Sequence, residues 1–182
     1  MSSTSTALPT GTWNIDPTHS RIGFSVKHLG ISTVRGEFRN YEGVFEIGED
    51  GSAKASGTVS TDSVDTSVPD RDGHLMAPDF FDTATYPEIA FQTTSISAVD
   101  DDTYELAGDL TLRGITKPIT LTAEIGGAET DAFGNDRIGL EATGSLNRSD
   151  YGMKFNQALG SGNLAVSDKV KLVLDISAVR GS

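Results

Sequence analysis

The side chains best suited to proton transfer or metal binding in this sequence are its histidines, His19, His28 and His74. None forms an HxH or HxxxH pair, the spacings that place two imidazoles on one face of a strand or a helix. Asp72 and His74 lie two apart in RDGH and could offer two ligands from one loop. The plainer reading is an Asp72 that accepts a hydrogen bond and fixes a turn. No third ligand is evident, so no metal site is expected. The chain has no cysteine, which removes disulfides, thiolate zinc centres, iron–sulfur clusters and cysteine nucleophiles together. There is no GxSxG elbow, and Ser20 beside His19 at a strand start points to the opposite face. GxxxxGK and GxGxxG are both missing, so no nucleotide cofactor is expected. Acidic residues fall mostly on polar faces and turns, where solvation accounts for them, and no carboxylate pair stands out.

The elements that would position these groups read as strands. In RIGFSVKHLG, Ile22, Phe24, Val26 and His28 alternate with Arg21, Gly23, Ser25 and Lys27, the period of a strand with one apolar face. His28 is thus in register with the apolar side. The same alternation recurs in Tyr41–Ile47, Tyr104–Leu112, Ile119–Ile125, Ile138–Gly144 and Val170–Ile176. Short strands between Gly, Asp and Asn turns predict an all-β antiparallel sandwich or barrel of about eight strands. The segment 67–87 breaks the rhythm and clusters Leu75, Met76, Phe80 and Phe81. Ser67 with Asp70 resembles a capping box, and Pro69 suits a first helical turn. Gly73 and Pro78 keep any helix short. One or two helical turns near 68–82, packed over one end of the barrel, are therefore expected. Residues 1–11 read as a flexible tail and 12–182 as one domain.

Small residues interrupt the apolar faces at Gly43, Gly108, Ala123, Ala142 and Gly144. Two explanations stand side by side: strand bending and close packing, or empty volume lined by larger side chains. The bulk numbers narrow the partners. A balance of 14 Lys+Arg against 26 Asp+Glu gives a formal charge of −12, which argues against nucleic acid and against stable adsorption to an anionic bilayer. No stretch approaches the length of a membrane span. The start, MSSTSTALPTGTW, has no basic segment and no apolar run, so it does not read as a signal peptide. Cytoplasmic residence is the expectation, with periplasmic or secreted residence the alternative if the chain was trimmed.

Several longer motifs carry a resemblance. WNIDPTHSRIGFSVKH (13–28), VRGEF (34–38), RDGHLMAPDFFD (71–82), YPEIAF (86–91), GDLTLRGITKPITL (108–121) and LNRSDYGM (146–153) resemble, in order and spacing, the YceI-like proteins. The resemblance implies a lipocalin-like antiparallel barrel that holds a polyisoprenoid or similar long apolar chain, without catalysis, for transport, storage or sequestration. It also implies a homodimer.

On that reading Ile22, Phe24, Val26, Phe38, Phe45, Phe91, Leu110, Leu112 and Leu140 line the tunnel, and Leu75, Phe80 and Phe81 close or gate one end. His28 is the polar residue at the end of its strand, bonded to backbone or touching a ligand's polar group. Arg71, His74, Arg113, Lys117 and Arg148 are the cations available to a headgroup. The charge balance favours a neutral lipid, a quinone or an amide over a polyprenyl phosphate. No cofactor is expected beyond such a bound lipid. Two alternatives remain: an enzyme using His28 or His74 as acid or base on a barrel-bound lipid, and an interaction protein whose barrel is filled by its own side chains.

Overall fold

The structure is a computed structural model that describes residues 9–156 and 165–181. The expected tail falls largely on 1–8, outside the described residues; its last residue, Gly11, already belongs to the first strand. The strand segments are β1 (Gly11–Ile15), β2 (Arg21–His28), β3 (Ser32–Phe38), β4 (Tyr41–Ile47), β5 (Ala53–Ser60) and β6 (Val64–Asp65). After one helix, α1 (Pro69–Met76), come β7 (Glu88–Ala98), β8 (Thr103–Leu112), β9 (Ile115–Thr130), β10 (Asp136–Asn147) and β11 (Val166–Arg180).

All pairings are antiparallel, and they close. β1 and β2 lie end to end along β11, with Trp13 opposite Arg180 and Phe24 opposite Leu172. β3 and β4 run in line along β2 and β1, and β6 and β5 along β3 and β4. The three broken lines and the five long strands make a closed barrel of eight staves.

The break between β1 and β2 has a local cause. Pro17 removes a donor, and Asp16 caps the turn by accepting from the Thr18 amide and hydroxyl at 3.0 and 2.7 Å. Ser20 rejoins the chain to β11 by exchanging hydrogen bonds with the Ser177 backbone. Pro118 lies inside β9 opposite Asp109. It is tolerated because β9 pairs with β10 only from Thr122 onward, so no partner on that side needs its missing N–H.

The expected helix exists, but its cap differs. Val68, not Ser67, is the N-cap, and no side chain caps the first turn. Ser67 is held at φ 69°, and Asp72 reaches back instead, accepting from the Thr66 amide and hydroxyl at 2.8 and 2.6 Å. That is the turn-fixing role expected of Asp72. Pro69 takes the first turn, and the helix ends before Pro78.

Candidate functional site

The inward faces of the strands surround a chamber of about 440 Å³, within the range of small-molecule sites. Its floor lies against Ile15, Phe45, Leu140 and Ile176. Below the floor a buried cluster of Trp13, Ile138 and Ala178, none more than 1% exposed, fills the barrel. At the other end the lining runs out to exposed residues: Lys27 and His28 on β2, His74 on α1, and Phe155. Glu42 and Ser56 flank it at the side, where Gly57 thins the wall.

Every wall residue expected from the sequence borders this chamber. Ile22, Phe24, Val26 and His28 come from β2, Phe38 from β3, Phe45 from β4 and Phe91 from β7. Leu110 and Leu112 come from β8 and Leu140 from β10. Leu75 on α1 and Phe80 and Phe81 after it form the cover. An aromatic column runs inward beneath that cover, with Phe81 edge-on to Phe38 at 5.5 Å and Phe38 tilted on Phe24 at 5.6 Å. The wall also includes Val170, Leu172 and Leu174 of β11, together with Leu106, Leu121 and Leu146. All but Leu146 fall in the alternating runs read from the sequence, though none is among the lining residues expected there.

The small residues divide between their two explanations. A Cβ on Gly108 would stand 2.6 Å from the Phe91 ring; on Gly144, 2.6 Å from Leu121; on Gly43, 2.5 Å from Ile15. These glycines let large neighbours lie across the sheet, which is close packing. Ala142 instead borders the chamber, where its short side chain leaves volume open. Ala123 is buried in the adjoining cluster and does not reach it.

The five expected headgroup cations do not gather as a set. Arg113 and Lys117 do not border the chamber. Arg113 donates to the carbonyls of Pro78 and Phe80 and so ties the cover to the β8–β9 turn. Lys117 is in register with Leu110, but it is exposed where β9 runs beyond its pairing with β10. Arg71 borders the chamber, with Nε on the Thr66 hydroxyl and Nη2 on the Thr66 carbonyl, at 2.8 and 2.7 Å.

Arg148 is only 4% exposed and also borders the chamber. Its guanidinium donates to the carbonyls of Ser167, Met153, Phe155 and Val166 at 2.8–3.2 Å. No described carboxylate forms an ion pair with it, and burial lowers its pKa, opposed in part by Asp168. It stitches the end of β10 to the start of β11, so its hydrogen bonds go to the fold.

His74 lies 3.0 Å from the Asp79 carboxylate through Nε2, and it packs edge-on to Phe80 and Phe155 at 5.0 and 4.9 Å. The His28 side chain has no hydrogen-bond partner among the described residues, and it stands exposed at the rim. His19 is far away, in the β1–β2 turn, 2.8 Å from Asp16. No group of three potential metal ligands occurs among the described residues.

A closed antiparallel barrel built around an apolar chamber, plugged at one end and covered by a short helix at the other, defines a lipocalin-like class of fold. The sequence matches the profile of the YceI-like domain over residues 13–178, and the chain belongs to that family. It is 38% identical over 164 residues to the YceI protein of Escherichia coli O157:H7, covering 89% of this chain and 82% of that one. Among solved structures it is similar to the YCEI protein of Campylobacter jejuni, at 31% identity and a TM-score of 0.74 over 86% of this chain and 90% of that one. A polyisoprenoid-binding domain from Saccharophagus degradans shares the fold at 19% identity, with a TM-score of 0.71 over 95% of this chain and all of that one.

Proposed function

We propose that this protein is a non-catalytic binder of one long apolar chain, a polyisoprenoid or an isoprenoid quinone or amide with an uncharged head, held for transport, storage or sequestration. The observation that carries the reading is the chamber itself, open volume walled by apolar side chains where a filled barrel would have none. Each methylene moved from water into such a wall contributes about 0.8 kcal/mol, so a long chain binds with little polar recognition. The family's fold neighbour named for polyisoprenoid binding supports the same ligand class. Arg148 already gives four bonds to backbone carbonyls and Arg71 is engaged by Thr66. That favours an uncharged head over a phosphate. A general base must stand within reach of a reacting atom beside a partner group; His28 and His74 stand at the rim, and neither has a nucleophile beside it among the contacts described.

Organic extraction of the purified protein followed by mass spectrometry tests the reading. A prenyl or related chain in stoichiometric yield is expected. Buffer components alone, with no uptake of added prenols, would overturn it. The homodimer is proposed with it and is checked by sedimentation.

A further inference from the structure

Of the eight exposed large apolar side chains among the described residues, Val99 and Phe133 stand in turns at the plugged end and Val173 on the barrel wall, while the other five gather at the opposite end. Leu29 and Ile31 form the β2–β3 turn, and Ile31 is 82% exposed. Val68 precedes α1, Ile115 opens β9, and Phe155 follows β10; all are exposed. The topology brings these positions to one end of the barrel. β6 runs antiparallel to β3, so its continuation through Val68 heads toward the β2–β3 turn. The Leu29 amide donates to Ala165 at 2.8 Å, beside the Val166–His28 pair. Arg148 bonds both Val166 and Phe155, and Phe155 packs on His74 of α1. Ile115 flanks the Arg113 turn that holds the cover. This is the end where the chamber reaches the surface.

Charge is polarised along the same axis. At the plugged end the turns GEDGS (48–52), VDDD (99–102) and DAFGN (131–135) hold Glu49, Asp50, Asp100, Asp101, Asp102 and Asp131, and no Lys or Arg. At the chamber end the exposed Lys27, Lys117, Lys154 and Lys169 stand among Asp70, Asp79, Asp150 and Asp168. One end is strongly acidic; the other is mixed and apolar-tipped.

We infer that the chamber end docks transiently on an uncharged lipid surface, with Ile31 and Leu29 entering the headgroup layer, so that the chain passes between bilayer and chamber without crossing water. An exposed apolar rim continuous with an apolar chamber marks an interaction site, and shallow burial of a few such side chains gives reversible attachment. Carboxylates are costly to take out of water, so the acidic far end stays solvated and the chamber end is the one that docks. The chain-transfer half of this inference rests on the proposed function; the docking half does not.

Two measurements on the full chain separate them. Trp placed by Ile31→Trp is expected to shift its emission to shorter wavelength on adding phosphatidylcholine vesicles, while Phe133→Trp at the opposite end stays unmoved. Adding phosphatidylglycerol to the vesicles is expected to weaken the shift. No shift at position 31, or equal shifts at both ends, overturns the docking surface whether or not a ligand binds. Second, transfer of a fluorescent prenol from loaded protein to the same vesicles is expected to speed up with vesicle concentration. Ile31→Glu is expected to slow transfer about tenfold, the equivalent of about 1.4 kcal/mol, while leaving equilibrium uptake from dilute ethanol unchanged. A rate independent of vesicle concentration and of Ile31→Glu overturns direct transfer. A shift at position 31 without prenol uptake keeps the surface and overturns the chamber reading.

Discussion

At the plugged end of the barrel, Trp13, Ile138 and Ala178 pack as one buried cluster, Arg180 lies 5.8 Å over the Trp13 ring, and the Trp13 indole donates to the Pro9 carbonyl. Arg137 ties Asp131 to Asp16 above them, at 2.7 and 2.8 Å. At the chamber end the equivalent volume is left open. The cover over it is held by hydrogen bonds from Arg113 and by the contacts of His74, Phe80 and Phe155. The same eight staves thus support a core at one end and a site at the other. Side-chain volume decides which: a tryptophan and isoleucines fill the plug, whereas Ala142 and a ring of Leu, Val and Phe line space. Stability and binding should therefore separate by substitution.

The largest effect is expected at the plug. Trp13→Ala should cost about 3–5 kcal/mol of unfolding free energy, while Phe155→Ala at the rim should cost no more than about 1 kcal/mol; denaturant titrations compare the two directly. Equal losses would erase the proposed division. Next in size is Arg148→Met, which takes a buried donor from four carbonyls, of which Val166 keeps the Asn156 amide at 2.7 Å. It should cost about 2–4 kcal/mol by the same measurement. A loss of prenol uptake with unchanged stability would instead mean that Arg148 serves a ligand.

A smaller effect belongs to acid. Hydrogen bonds from Arg137 and from the Asn135 amide hold Asp131 down at about 2. Contacts with His19, then Arg137, then Thr18 place Asp16 below the usual carboxylate range as well. A carboxylate whose pKa is depressed in the folded state adds stability above its ordinary value of 3.8 and loses it as pH falls toward the folded value. Denaturant midpoints should therefore fall between pH 4 and 2, and Arg137→Met should flatten that slope. An unchanged slope would remove this triad from the plug. The smallest effect concerns Tyr151, 1% exposed, whose hydroxyl has no hydrogen-bond partner among the described residues. Tyr151→Phe removes a group that burial leaves unsatisfied, so thermal melting should show no loss and a gain of up to about 1 kcal/mol.

The strands and the chamber wall were legible because alternation assigns a face to each residue, and the barrel then sends each marked face inward. Ile22, Phe24 and Val26 follow from that rule alone. What alternation does not carry is depth along the axis. Trp13 and Phe45 are both inward residues, paired across β1 and β4, yet Trp13 is sealed in the plug and Phe45 borders the chamber floor. The cations were harder still, because type and loop position do not reveal acceptors distant in sequence. Arg148 is spent on carbonyls up to 19 residues away, Arg113 on Phe80, 33 residues away. Residue type alone leaves Gly108 open to either explanation, and the Phe91 ring lying over it decides for close packing.

The most direct test of the chamber as a binding site is titration with a fluorescent long-chain prenol, comparing the native chain with Ala142→Phe, whose melting temperature is measured alongside. Saturable uptake of one chain per barrel is expected. In the folded variant, a ring projecting into the chamber should weaken uptake by at least about tenfold. Equal uptake by both proteins would place the ligand outside the barrel, and no saturable uptake by the native chain would contradict the account outright.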